Sequence, residues 1–69
     1  MTEYTVIYEP GERNWSAYVP DLPGCIATGS TQDEVERLIR QAITLHLEGL
    51  KEAGQPEPAP TSWAELVEV

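Results

Sequence analysis

Cys25 and His46 are the only cysteine and the only histidine of this 69-residue chain, and they could be the nucleophile and the base of a thiol enzyme. Such an enzyme needs a base within hydrogen-bond reach of the thiol, and usually a third group that orients the base. Cys25 follows a Pro-Gly turn, and His46 falls near the middle of the apolar positions of a predicted helix. Both positions suit side chains packed in a core. We therefore expect a core pair and no catalytic residue.

Asp21 is the acidic residue in the most rigid setting. It lies in the segment Pro-Asp-Leu-Pro-Gly-Cys at 20–25, where two prolines fix φ and a glycine ends the turn. Its carboxylate could accept hydrogen bonds from Arg or Lys of a basic partner. It could also satisfy backbone N–H groups within the turn. We favour the second role, and the two are compatible.

The length of the chain limits how well it can stabilise itself. A domain of this size buries only about 60% of its unfolded surface, so its core is marginal. One cysteine excludes a disulfide within the chain, and one Cys with one His argues against a structural zinc site. Self-association is the remaining common means of stabilisation. We predict a homo-oligomer with no metal and no cofactor.

The net charge of −8 comes from 12 acidic and four basic residues. Such a chain repels nucleic acid, whose affinity for proteins depends on Lys and Arg, and attracts a basic protein. The acidic balance could also serve solubility alone. We see no signal peptide and no apolar run long enough to cross a bilayer. We therefore expect a cytoplasmic protein without membrane association or direct nucleic acid binding.

The pattern of apolar residues and turns predicts an α+β fold. Alternation predicts strands at Thr2–Glu9, Trp15–Val19 and Cys25–Thr28, joined by short turns into an antiparallel meander. Thr31 and Glu34 have the spacing of a capping box, which predicts the start of a long helix on one face of the sheet. Gly54 is placed where that helix should end.

Residues 54–69 are predicted to carry the chain back from the end of the helix to the sheet. Prolines at 56, 58 and 60 favour an extended connection over 54–63. Ala64–Val69 is then predicted as a fourth strand, with Val67 and Val69 on one face. A right-handed crossover would place this strand beside strand 1, in the order 3-2-1-4. We take 1–69 as a single domain.

The apolar side of the predicted helix covers roughly 200°, whereas packing on one sheet needs about 100° or somewhat more. One flank, either Leu38–Leu45 or Ile43–Leu47, should remain after packing within the chain. Exposed apolar patches mark interfaces. We favour an interface with another chain, at this flank or at the sheet face opposite the helix, the alternative being that the C-terminal tail covers the flank.

Two motifs together carry a resemblance to a known family. They are the segment 20–25 and the helix start Thr28-Gly29-Ser30-Thr31 with Glu34, followed by apolar positions at Leu38, Ile39, Ala42 and Ile43. This chain resembles, over nearly its whole length, the amino-terminal domain of HicB-like antitoxins. The resemblance implies a partial RNase H-like fold with strand order 3-2-1-4.

The resemblance also implies a function. HicB-like antitoxins neutralise a small basic HicA-like toxin, which cleaves mRNA, by covering its active surface, and they commonly form dimers or tetramers. Many relatives carry a further DNA-binding segment, which is not visible before Val69. We therefore do not expect autorepression by this chain alone.

An RNase H-type nuclease would need converging carboxylates to hold divalent metals. Strand 1 offers Glu3 and Glu9 at its ends, and Asp21 lies in the turn, so we predict no enzyme. The alternative to an antitoxin is an orphan homo-oligomeric structural or ligand-binding domain without a toxin. Candidate contacts with a partner or a second copy are Asp21, Leu22, Pro23, Trp15, Tyr18, Leu38, Leu45, Ile43 and Leu47.

Overall fold

Three short strands and one long helix form the structure. The computed structural model describes residues 2–69, so Met1 of the predicted domain 1–69 lies outside the described residues. The elements are β1 (Ile7–Pro10), β2 (Trp15–Tyr18), β3 (Ile26–Gly29) and α1 (Gln32–Glu52). The sheet is antiparallel with the order β1-β2-β3. The predicted α+β meander with one helix is therefore confirmed.

β1 begins five residues later than the predicted strand. Ile7 pairs with Tyr18, and continuing this register would place Thr5 opposite Pro20. Proline has no N–H to donate, so the ladder with β2 stops where the rigid turn begins. The preceding residues still contribute to the fold, because Tyr4 and Val6 pack against the core.

The start of α1 confirms the predicted cap. The Thr31 hydroxyl accepts a hydrogen bond from the backbone N–H of Glu34 at 3.1 Å. The Glu34 carboxylate in turn accepts one from the backbone N–H of Ser30 at 2.8 Å. Gly29 makes this close approach possible, because a Cβ there would lie 2.9 Å from the backbone nitrogen of Val35.

The end of α1 agrees with the prediction made from Gly54, because the helix ends at Glu52 and Ala53 is its C-cap. Gly54 has φ +72, a conformation that favours glycine. Its N–H donates to the carbonyl of Lys51, and the N–H of Gln55 donates to that of Leu50. This is a Schellman motif, which satisfies carbonyl groups that a helix end would otherwise leave unpaired.

The core lies between α1 and one face of the sheet. The buried apolar residues are Ala17, Val19, Leu22, Cys25, Val35 and Ile39. Both helix residues among them lie in the first half of α1. A helix of 21 residues is about 31 Å long, whereas a strand of four residues spans about 13 Å. The second half of α1 therefore extends past the sheet.

The predicted fourth strand at Ala64–Val69 is absent from the described chain. Residues 55–69 have no regular secondary structure, so the order 3-2-1-4 does not form in this structure. As predicted, the connection carries the chain back toward the sheet, and the segment 58–62 contacts the residues just before β1. It is held there by side chains, and prolines at 56, 58 and 60 supply no N–H for a ladder.

Candidate binding surfaces

The segment 19–25 consists of two successive turns that share Leu22. The N–H of Leu22 donates to the carbonyl of Val19, and the N–H of Cys25 donates to that of Leu22, both at 3.0 Å. Pro23 and Gly24, which has φ +84, occupy the central positions of the second turn, as a type II turn requires. This geometry directs Leu22 inward, where its side chain is fully buried.

Asp21 projects from the first of these turns toward the C-terminal part of the chain. Its Oδ1 accepts hydrogen bonds from the hydroxyl groups of Thr61 at 3.1 Å and Ser62 at 2.8 Å. Its Oδ2 accepts one from the backbone N–H of Ser62 at 2.9 Å. The prediction that Asp21 satisfies N–H groups of its own turn is therefore wrong. The backbone N–H that it binds lies 41 residues further along the chain.

These bonds also affect the charge of Asp21. The backbone N–H of Ser62 is the main cause that lowers the pKa of Asp21, with further contributions from the hydroxyls of Ser62 and Thr61. Partial burial acts in the opposite direction but does not prevail. A carboxylate that accepts several hydrogen bonds is stabilised in its ionised form. Asp21 is therefore a charged anchor at neutral pH.

Two residues just before β1 complete this attachment. The hydroxyl of Tyr4 donates to the carbonyl of Pro58, and that of Thr5 donates to the carbonyl of Ser62 at 2.7 Å. Burial raises the pKa of Tyr4, and the nearby carboxylates of Glu57 and Asp21 raise it further. We call these contacts of Tyr4, Thr5 and Asp21 with residues 58–62 the C-terminal clamp.

Cys25 and His46, the two residues considered for thiol chemistry, are both at least partly buried. Cys25 is buried, and burial raises the pKa of its thiol, so it stays protonated at neutral pH. The thiolate is the reactive form of cysteine. His46 is half-buried on α1. Across residues 2–69, no group of three or more His, Cys, Asp and Glu side chains could hold a metal ion.

One flank of α1 remains exposed. Ile43 and Leu47 pack against the core, so the flank that is left over is Leu38–Leu45. Leu38 is half-buried, whereas the Leu45 side chain is 68% exposed. A shallow groove beside Leu45 is lined by polar and acidic side chains, including Gln41 and Glu48. We call this surface the helix flank.

The face of the sheet opposite α1 carries an apolar row that spans all three strands. Tyr18 pairs with Ile7 on one side and with Ile26 on the other, so the three side chains share this face. Ile26 is 67% exposed and Tyr18 is 38% exposed. We call this row the open sheet face. Ile7 and Ile26 were not among the predicted contacts, although alternation with the core-facing residues was a signal for them.

Comparison with known proteins places this architecture in a family. A family model described as "HicB_like antitoxin of bacterial toxin-antitoxin system" matches residues 4–69. The chain belongs to the HicB-like antitoxin family. The match includes every element of the fold and both sides of the C-terminal clamp.

Individual relatives of this HicB-like chain come from a phage, a bacterium and an archaeon. An uncharacterized 14.9 kDa protein of Haemophilus phage HP1, from the rep-hol intergenic region, is 33% identical over 80% of this chain and 41% of its own length. A UPF0150 protein of Helicobacter pylori is 38% identical over 65% of this chain and 62% of its own length. A UPF0150 protein of Thermoplasma acidophilum is 37% identical over 81% of this chain and 83% of its own.

The chain thus spans about two fifths of the phage relative and about three fifths of the Helicobacter relative. No solved structure matches it significantly. The structure itself contains, in residues 2–69, no helix with the length and apolar character needed to cross a membrane.

The predicted contact residues of this HicB-like domain fall into three groups. Tyr18, Pro23 and Leu45 are exposed. Leu22 is fully buried and presents no surface to a partner, because the two turns direct it into the core. The half-buried group comprises Trp15, Asp21, Leu38, Ile43 and Leu47.

Proposed function

We propose that this protein is an antitoxin that neutralises a small basic HicA-like toxin, an mRNA-cleaving enzyme, by covering its active surface. Membership of the HicB-like antitoxin family over residues 4–69 is the observation that carries the proposal. A surface that binds RNA is rich in Lys and Arg, because the phosphates of RNA are negatively charged. A chain of net charge −8 complements such a surface. Both proteins would then act in the cytoplasm.

The helix flank is the surface that best suits a basic partner. Leu38, Leu45 and Glu48 share this side of α1, because residues three or four positions apart, or seven, lie on one face of a helix. Leu45 offers an exposed apolar side chain, and Glu48 lies beside it in the same groove. An apolar centre with charged neighbours is the arrangement expected of a specific interface. Leu45 would anchor the complex, and the acidic residues would speed association.

Co-expression with the toxin tests the proposal. The small basic open reading frame beside this gene is expressed with and without the antitoxin, and growth is measured. We expect the neighbour alone to arrest growth and the pair to restore it. If no such neighbour exists, or if it is harmless alone, the antitoxin role is contradicted.

A matched pair of variants tests the surface. Glu48→Lys reverses one charge on the helix flank, and Glu12→Lys makes the same change of net charge in the exposed β1–β2 turn. We expect Glu48→Lys to slow association with the toxin and to weaken its salt dependence more than Glu12→Lys does. Equal effects of the two variants would refute the helix flank as the contact surface while leaving the antitoxin role intact.

An orphan homo-oligomeric domain, structural or ligand-binding, is the second candidate. The exposed hydrophobic residues within 63–69 favour it, since such residues suit contacts between copies. The two candidates differ in the growth assay, because an orphan domain would restore no growth and would bind no neighbouring gene product.

A further inference from the structure

The outer edge of β3 has free backbone groups. The N–H of Val19 donates to the carbonyl of Cys25 at 3.2 Å, so these two residues form a hydrogen-bonded pair. Such pairs alternate along an antiparallel ladder, and the intervening residues direct their N–H and C=O groups to the other side. In β3 these residues are Ile26 and Thr28. Because β3 is the last strand of the sheet, their backbone groups face no further strand.

β3 also lacks the features that protect edge strands. Charged residues and prolines on an edge discourage pairing with another chain. The other edge strand, β1, has both, in Glu9 and Pro10. Pro10 removes an N–H from the outer side of β1, and the C-terminal clamp covers the chain just before this strand. β3 has the sequence Ile-Ala-Thr-Gly, with neither charge nor proline.

The segment 63–69, which we call the C-terminal segment, is a strand-like sequence without a partner in this structure. It follows the C-terminal clamp directly, and all seven residues are exposed. Trp63 is 75% exposed, Leu66 fully and Val67 69%. Seven large hydrophobic residues are exposed within 2–69, and four of them belong to this segment. As a strand, this segment would place Trp63, Val67 and Val69 on one face and Leu66 on the other, and the β-branched valines suit a strand.

We propose that the C-terminal segment of one copy pairs with the outer edge of β3 in a second copy, and that the exchange is reciprocal. Donor and acceptor both belong to this chain, so a two-fold axis would form both contacts at once. The backbone groups of Ile26 and Thr28 offer four hydrogen bonds to an added strand. One side of that strand would lie beside Ile26 and extend the open sheet face to a fourth strand.

Charge favours the edge of β3 over that of β1 as the acceptor. The C-terminal segment carries Glu65 and Glu68, which would meet no acidic side chain on β3. On β1 one of the two would share a face of the sheet with Glu9, and like charges on neighbouring strands are destabilising. The exchanged arrangement would also bury exposed hydrophobic side chains of a domain whose own core is small.

The oligomeric state of variants is the first test. We expect the chain to sediment as a dimer at micromolar concentration, and the chain truncated after Ser62 to sediment as a folded monomer. Thr28→Pro removes one outward N–H and should weaken dimerisation about tenfold or more. Thr28→Val keeps that N–H and should dimerise normally. A wild-type monomer at 100 μM, a dimer that survives truncation, or equal effects of the two Thr28 variants would overturn the proposal.

Disulfide cross-linking between copies that carry different cysteine substitutions is the second test. It can be carried out even if Thr28→Pro fails to fold. A copy carrying Thr28→Cys is mixed with one carrying Val67→Cys, and disulfides between copies are measured. We expect rapid formation of the mixed disulfide and little formation with Glu9→Cys in place of Thr28→Cys. The exchange with a second copy would be refuted if Val67→Cys formed its disulfide faster with Glu9→Cys than with Thr28→Cys. It would also be refuted if removing the C-terminal segment abolished binding of a basic protein and left the oligomeric state unchanged.

Discussion

Replacing Leu22 by alanine should destabilise the domain strongly, although Leu22 lies in a turn. Its side chain is fully buried between two successive turns and contributes to the core cluster. Pro20 and Pro23 restrict the backbone on either side of it. The turn therefore has little freedom to collapse into the space that the leucine side chain would leave.

The expected loss follows from burial. Leu→Ala at a buried site lowers the free energy of unfolding by about 2–5 kcal/mol, with larger values where the site cannot relax. The restricted turn places Leu22→Ala in the upper part of this range, at about 3–5 kcal/mol. A chain of 69 residues is expected to have a total stability of about 3.5–10 kcal/mol. The variant would thus lose roughly a third or more of it.

Thermal and urea denaturation followed by circular dichroism measure this loss. At about 4–8 °C for each kcal/mol in a domain of this size, the Tm of Leu22→Ala should fall by at least about 12 °C. Leu45→Ala removes the same atoms from a side chain that is 68% exposed. It should change the free energy of unfolding by no more than about 0.5 kcal/mol.

The two leucines separate a core role from an interface role. If Leu22→Ala lowered stability by less than about 1 kcal/mol, the turn would not hold this side chain in the core as described. A stability loss for Leu45→Ala equal to that for Leu22→Ala would likewise contradict the assignment of Leu45 to exposed surface. Both variants are compared at the same protein concentration, because association would add to the apparent stability.

Three further predictions concern the glycines, the C-terminal clamp and the thiol. Gly29→Ala should lower the free energy of unfolding by about 1–3 kcal/mol in urea denaturation, because the added Cβ would crowd the start of α1. Gly49→Ala has open space around the added Cβ and should raise the free energy of unfolding by about 0.5–1 kcal/mol in the same assay. Because the folded-state pKa of Asp21 is lowered, the clamp's contribution is fully present above the ordinary Asp pKa and is lost as pH falls through the lower folded value. Protection of the Ser62 amide from hydrogen exchange should follow that loss in the wild type and show no such acid step in Asp21→Asn. Cys25 should react with a thiol reagent at neutral pH far more slowly in the folded protein than in urea, and equal rates would contradict its burial.

Local signals in the sequence predicted most of the fold. The helix start depended on Thr31 and Glu34, which interact within one turn, and its end depended on Gly54. Three strands joined by short turns left few alternatives to a meander. The start of β1 was placed too early, because alternation continues through residues 2–6 while the pairing partner of that segment ends at Pro20.

The parts that sequence reasoning missed depend on contacts between distant residues. The prolines predicted the shape of the turn at 20–24, but not that Leu22 would point into the core while Asp21 pointed toward Ser62. No local pattern identifies a partner 41 residues away. The spacing of Val67 and Val69 that predicted a strand is a property of that segment alone, whereas a strand exists only when a neighbouring backbone is available to it.

The C-terminal clamp has a consequence for the order in which the molecule is completed during its synthesis. The ribosome makes the turn that presents Asp21 well before it makes Thr61 and Ser62, because β3 and α1 lie between them in the chain. Until then water must occupy the oxygens of the carboxylate. The newborn domain would therefore close its two ends together as a late step, after its centre is in place.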